Sequence, residues 1–191
     1  SPKGLEFTIH DKEKWVDHVK AMTPYTNGAR TLLKFMILAA HDGTKPDTQE
    51  AGLVQRRDAA PDDSTYYLSF DSWDKDLHAT LEHVAPSNVQ STGWNGVYDD
   101  QSLKDTIGNF ILLPKGQNSA LKDSGWDVKK LFLSVLLSDS ESVRVDTIQD
   151  AKANGISLPP SIEKSVLSEG KPYPLVKLPM LSGLETVDDW D

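Results

Sequence analysis

An α+β fold is predicted for this 191-residue chain, and three observations carry that prediction. Two strand-like runs, "HATLEHV" ending a strand at His83 and "NFILL" stopped by Pro114, are separated by a long loop and followed by a helical stretch. Residues 27–41, "NGARTLLKFMILAAH", are apolar at helical spacing. Beyond residue 138 the prolines Pro159, Pro160, Pro172, Pro174 and Pro179 exclude long regular elements. Strand, loop, strand and helix in that order make a ββα unit, flanked by an N-terminal helical segment and a proline-rich tail.

The elements follow from local chemistry. Residues 11–21 read as an amphipathic helix with Trp15 and Val19 on one face. Thr23 and Pro24 suit the cap and first position of the next helix, which "DG" at Asp42–Gly43 ends. Residues 42–65 read as a long polar loop, "STYYLSF" at 64–70 as a possible short strand, and "DSWDKDLH" as a turn or helix start. After the ββα unit come a helix near 144–153 and a short one near 160–168. Three segments result: 1–79, a helical linker and polar loop; 80–137, the ββα core; and 138–191, a loop-rich tail packed on that core.

Composition narrows the function. Hydrophobic content of 38% and charged content of 26% suit a soluble globular chain. No apolar run reaches the ~20 residues that span a bilayer, so no membrane is expected. Cysteine is absent, which excludes disulfides and thiolate-bound zinc and fits a reducing cytoplasm. The opening "SPKG" lacks an initiator methionine and the chain stops at "VDDWD", so a piece of a longer protein is expected. A net charge of −9 argues against a broad basic grip on nucleic acid. Residues 80–137, however, are almost balanced, with six acidic and five basic side chains. Four of those bases, Lys115, Lys122, Lys129 and Lys130, cluster late; they fit either a phosphate-contacting face or an ordinary solvated helix.

The chemistry-bearing residues lie at the ends of the two strands. Glu82–His83 closes the first, Asn109 opens the second, and Asn118 stands where a helix running through "SALKDSGWDVKKLFLSVL" would be N-capped. Each has a plain structural reading: Asn109 after Gly108 is a good turn residue, and Asn118 can be a cap and nothing more. His10, His18 and His41 have no partners at metal-ligand spacing and read as structural or surface residues; His78 would not share the face of His83 in an extended strand and reads as structural, and Trp94 and Trp126 as core.

Taken together, "EHxxP", "IGNxxLL" and the following Asn resemble the HNH, or His-Me finger, nuclease motif in its His-Asn-Asn form. The run "LEHVAPSN…W…Y.D..L.D.IGNFILLP…N…W..KK" is similar to the C-terminal nuclease domain of GmrSD-type modification-dependent restriction enzymes and of the related phosphorothioate-sensing SspE proteins. The resemblance implies a ββα-metal core and a metal-dependent DNA endonuclease serving prokaryotic anti-phage defence. It implies His83 as general base, Glu82 and Asn118 as ligands of Mg²⁺ or Mn²⁺, and Asn109 as a brace for the loop that carries His83. Aspartate is the commoner residue at the first ligand position; Glu82 keeps the charge and adds a methylene. The chemistry agrees: hydrolysis of a phosphodiester needs a near-neutral base and a hard cation on oxygen ligands. In those families an N-terminal nucleotide-hydrolysing domain precedes the nuclease. An RNase would use the same site, and a catalytically idle ββα module acting in protein interaction or regulation is the alternative from a different class.

Overall fold

The computed structural model describes residues 11–22, 25, 29–49, 54–56, 67–74, 79–88, 94, 96–138 and 140–167. The expected Thr23–Pro24 cap, His10, His78 and the tail from residue 168 lie outside these residues.

Helix α1 (Lys12–Lys20) starts where Asp11 accepts a hydrogen bond from the Lys14 amide at 3.2 Å, satisfying one of the first-turn donors. Helix α2 (Arg30–His41) follows the apolar spacing of its sequence and buries Leu33, Ile37, Leu38 and His41. Its last residue is structural, as expected: the buried His41 ring places Nδ1 2.7 Å from the Ile37 carbonyl oxygen.

The polar loop expected at 42–65 contains a small hairpin. Strand β1 (Thr44–Pro46) pairs antiparallel with β2 (Val54–Arg56). Three-residue strands of the types TKP and VQR carry no alternation that could have signalled them. The possible strand at 64–70 is not one where it is described: Leu68 and Ser69 form a bend, and Phe70 opens helix α3 (Phe70–Asp74). The Asp42 carboxylate caps this bend by accepting from the Tyr67 and Leu68 amides at 2.7 and 3.0 Å.

The centre is a second antiparallel pair, β3 (Thr80–His83) with β4 (Phe110–Leu113). Their register sets His83 opposite Phe110, Glu82 opposite Ile111 and Leu81 opposite Leu112. A loop containing the short helix α4 (Gln101–Lys104) joins them, and a 3₁₀ turn at Ile107–Asn109 feeds β4. Pro114 ends β4 and leads into α5 (Lys115–Leu121). The single long helix expected after Asn118 is two helices. Lys122, at φ +45°, breaks the chain out of α5, and Gly125 starts α6 (Trp126–Leu137). A non-glycine residue there costs backbone strain, and it turns α6 back across the hairpin.

Helix α7 (Glu141–Ala153) packs on α6 and ends at Gly155, whose φ of +81° suits glycine after a helix C-terminus. Helix α8 (Pro160–Val166) opens on proline at its first turn. Both match the helices expected near 144–153 and 160–168. One apolar cluster runs through the molecule: Leu33 and Leu38 of α2, all four residues of β4, Phe132 and Leu133 of α6, Ile148 of α7 and Ile162 of α8. Among the described residues no helix is long and apolar enough to cross a membrane.

Candidate active site

Strand geometry decides the site, because neighbouring residues on a strand point to opposite faces. Leu81 and His83 of β3 share the face turned toward α2. Glu82 faces α6, where Val84, Ile111, Leu121, Lys129 and Phe132 surround it.

On the α2 side the His83 ring is nearly enclosed. Phe110 lies 4.3 Å away between ring centroids, and Tyr25 meets it edge-on at 4.6 Å. Its Nε2 stands 3.2 Å from Oδ1 of Asp105, and the two side chains are 12% and 6% exposed. Burial lowers the His83 pKa below its ordinary value; Asp105 opposes this shift, while Lys129 and Arg30 add to it. A neutral imidazole that donates Nε2–H to Asp105 keeps Nδ1 as a proton acceptor.

Asn109 fixes the backbone just past His83. Its Oδ1 accepts from the Ala85 amide at 2.7 Å, and its Nδ2 donates to the carbonyls of Ala85 and Lys104, both at 2.8 Å. The Val84 amide donates to the Asn109 carbonyl at 3.0 Å. A buried amide satisfied this fully ties the end of β3 to the end of α4. Asn109→Ala should therefore destabilise the chain by about 2–3 kcal/mol, since it strands a buried amide N–H and buried carbonyls. A urea midpoint within error of wild type would show that the brace carries no weight.

Asn118 is not an N-cap, contrary to the expectation from its position. It is the fourth residue of α5, whose N-cap is Pro114, without a side-chain capping bond. Its Nδ2 donates instead to Oγ1 of Thr80 at 3.0 Å and to the Leu81 carbonyl at 2.9 Å, docking α5 on the hairpin. That leaves Oδ1 without a hydrogen-bond partner among the described residues. Asn118 lines a cleft of about 580 Å³ between α2 and α5.

Glu82 and Asn118 have different hydrogen-bond partners. The Glu82 carboxylate, 5% exposed, accepts from the Lys129 ammonium at 2.7 Å on the far face of the strand. Burial pushes Glu82 up and Lys129 down, and each charge restrains the other's shift. Lys129 also donates to the His83 carbonyl. It is 2% exposed, so the solvent-facing phosphate contact expected of it is not what the structure places there. Lys130 is half-buried, whereas Lys122 is exposed at the turn after α5 and Lys115 is exposed at the rim of the cleft. Among the described residues no group of three or more His, Cys, Asp or Glu side chains gathers as a metal cage. That does not exclude Mg²⁺, which keeps several waters and uses few protein oxygens.

Sequence reasoning missed Asp105, the His83 partner. It stood inside the quoted pattern "D.IGN", four residues before Asn109, and nothing in its spacing to His83 marked it.

Compared with known families, residues 25–150 match the model of the GmrSD restriction endonucleases, C-terminal domain. This chain belongs to that family. A search of curated proteins found no match. Membership makes the chain a restriction-endonuclease-related nuclease domain. The matched span of this GmrSD C-terminal domain runs from Tyr25, which packs on His83, through α2, the β3–β4 hairpin and α6 into α7.

Proposed function

We propose that this chain is a divalent-metal-dependent DNA endonuclease of the HNH, or His-Me finger, type. Residues 80–137 supply the catalytic core, and the chain works as the effector of a cytoplasmic prokaryotic anti-phage protein. Its full-length form carries a nucleotide-hydrolysing domain ahead of it. The observation that supports the reading best is the setting of His83: an imidazole held by Asp105, at a strand end braced by Asn109, and packed on Tyr25, which lines the same cleft as Asn118. An idle interaction module has no need of that arrangement, and membership of a restriction-endonuclease family does not favour it.

In the proposed mechanism His83 Nδ1 takes the proton from the attacking water. Asp105 holds the tautomer that allows this and stabilises the imidazolium that forms, as a carboxylate does for any positioned histidine base. Asn109 keeps the imidazole in register by fixing the backbone from Val84 to Ala85. A bound Mg²⁺ or Mn²⁺ would supply charge stabilisation at the scissile phosphate and the leaving oxygen. The Asn118 amide oxygen is the protein group that would hold it. Glu82 could reach the metal only by leaving Lys129.

The test is nicking or linearisation of supercoiled plasmid by the chain with Mg²⁺ or Mn²⁺. Cleavage should vanish in EDTA. Asn118→Ala should need more metal to reach half-maximal rate, and Asn118→Asp should recover part of that loss. Undiminished cutting in EDTA would remove the metal from the mechanism, and identical metal titrations for Asn118→Ala and wild type would remove Asn118 as a ligand.

A further inference from the structure

In a chain of net charge −9, the cleft between α2 and α5 is lined, among the described residues, by three cations, Arg30, Lys34 and Lys115, and by no carboxylate. Two of the cations are held in place. The Arg30 guanidinium lies 4.4 Å from the centre of the Tyr25 ring, and Tyr25 in turn packs on His83. The Lys34 ammonium lies 4.7 Å from the centre of the Trp73 ring and donates to the Trp73 carbonyl at 2.6 Å, leaving two of its three donors. Asp74 is the carboxylate whose charge acts on Lys34, from outside the cleft wall. Arg30 and Lys34 are four residues apart on one helix, about 6 Å along its axis. Lys115 closes the cleft from α5, beside the uncommitted Asn118 oxygen.

We propose that this cleft is the groove that seats the sugar–phosphate backbone of the DNA strand. Arg30 and Lys34 hold phosphates on one wall and Lys115 on the other, with Tyr25 linking Arg30 to His83. The inference deepens the nuclease reading and rests on it for the identity of the ligand. The pattern matches phosphate rather than bases: the Tyr25 and Trp73 rings serve as platforms for the two cations, leaving less aromatic surface for stacking. Backbone contacts position a strand without reading its sequence, so binding should show little base preference. The N-terminal helix thus becomes part of the substrate site rather than only a linker. The side chains that pin it, Leu33, Ile37 and Leu38, are buried on the same side of the helix, flanking the two cations at helical spacing.

Fluorescence anisotropy on the whole chain in EDTA tests this without any cleavage, with labelled single-stranded and duplex DNA of one sequence titrated between about 50 and 200 mM salt. Arg30→Gln combined with Lys34→Gln should weaken binding at least roughly tenfold. It should also flatten the plot of log K against log salt by about 1.8 on duplex or about 1.4 on single strand, the share of two lost phosphate contacts. Whichever DNA form shows the full change is the form the cleft takes. Lys115→Gln, at an exposed position that cannot unfold the core, should flatten the slope by half as much. It decides the matter should the double variant fail to fold. Unchanged affinity and slope in these variants, or no DNA binding by the wild-type chain at low salt, overturns the proposal. Adding Mn²⁺ separates the two readings. Cleft-dependent binding without cleavage counts against the nuclease alone, and cleavage with binding indifferent to the three cations counts against the cleft alone.

Discussion

Replacing His83 by alanine should slow plasmid cleavage by about 10²–10⁴-fold, the usual contribution of a positioned proton acceptor. The same change should also lower the melting temperature modestly. The ring is not a free side chain at a strand end; it packs against both Tyr25 and Phe110, which stack on each other, and hydrogen-bonds Asp105. Activity must therefore be expressed per folded molecule. His83→Gln refines the test, because it retains a donor for Asp105 and much of the volume but offers no base of comparable strength. Glutamine that recovers stability without recovering rate identifies His83 as the base. Specific activity near wild type in either variant would sink the catalytic role.

Glu82→Ala should be among the most destabilising single changes, costing about 3–5 kcal/mol, because it leaves the Lys129 ammonium buried and uncompensated. The pair is 2.7 Å apart and both side chains are nearly inaccessible to water. A Glu82 that served only as a metal ligand would behave in the opposite way, losing metal affinity with little change in the urea midpoint. The double change Glu82→Leu with Lys129→Met gives the second reading, since an apolar pair of similar volume commonly restores what a broken buried ion pair loses. Stability regained with activity regained assigns the pair to architecture. Stability regained with metal-dependent cleavage still absent returns Glu82 to the chemistry.

Much of the hairpin was legible because its signals are local. "NFILL" before Pro114 and the apolar run into His83 mark two strands whatever surrounds them, and the spacing in residues 30–41 marks a helix. Asn109, which the sequence marks as a turn residue after Gly108, bonds Ala85 and Lys104. The break between α5 and α6 was not legible, because Lys122 in a left-handed conformation carries none of the glycine or asparagine signature that marks such turns. Nor was the hairpin of β1 and β2, whose strands are too short to alternate.

By itself, then, the sequence marked the β3–β4 strands and the longer helices, since periodicity, caps and breakers act within a few residues, while the residues for phosphodiester chemistry were what its resemblance to the HNH motif implied. Only the tertiary structure decided what waits on each face. Lys129 lies 47 residues from Glu82, Asp105 lies 22 from His83, and Asn118 lies 38 from Thr80. Such partners are set by how α4, α5 and α6 pack on the hairpin, and no local pattern encodes that packing. It gives Glu82 a buried cation, gives His83 its carboxylate, and turns Asn118 from a helix cap into the amide that docks α5 beside the cleft.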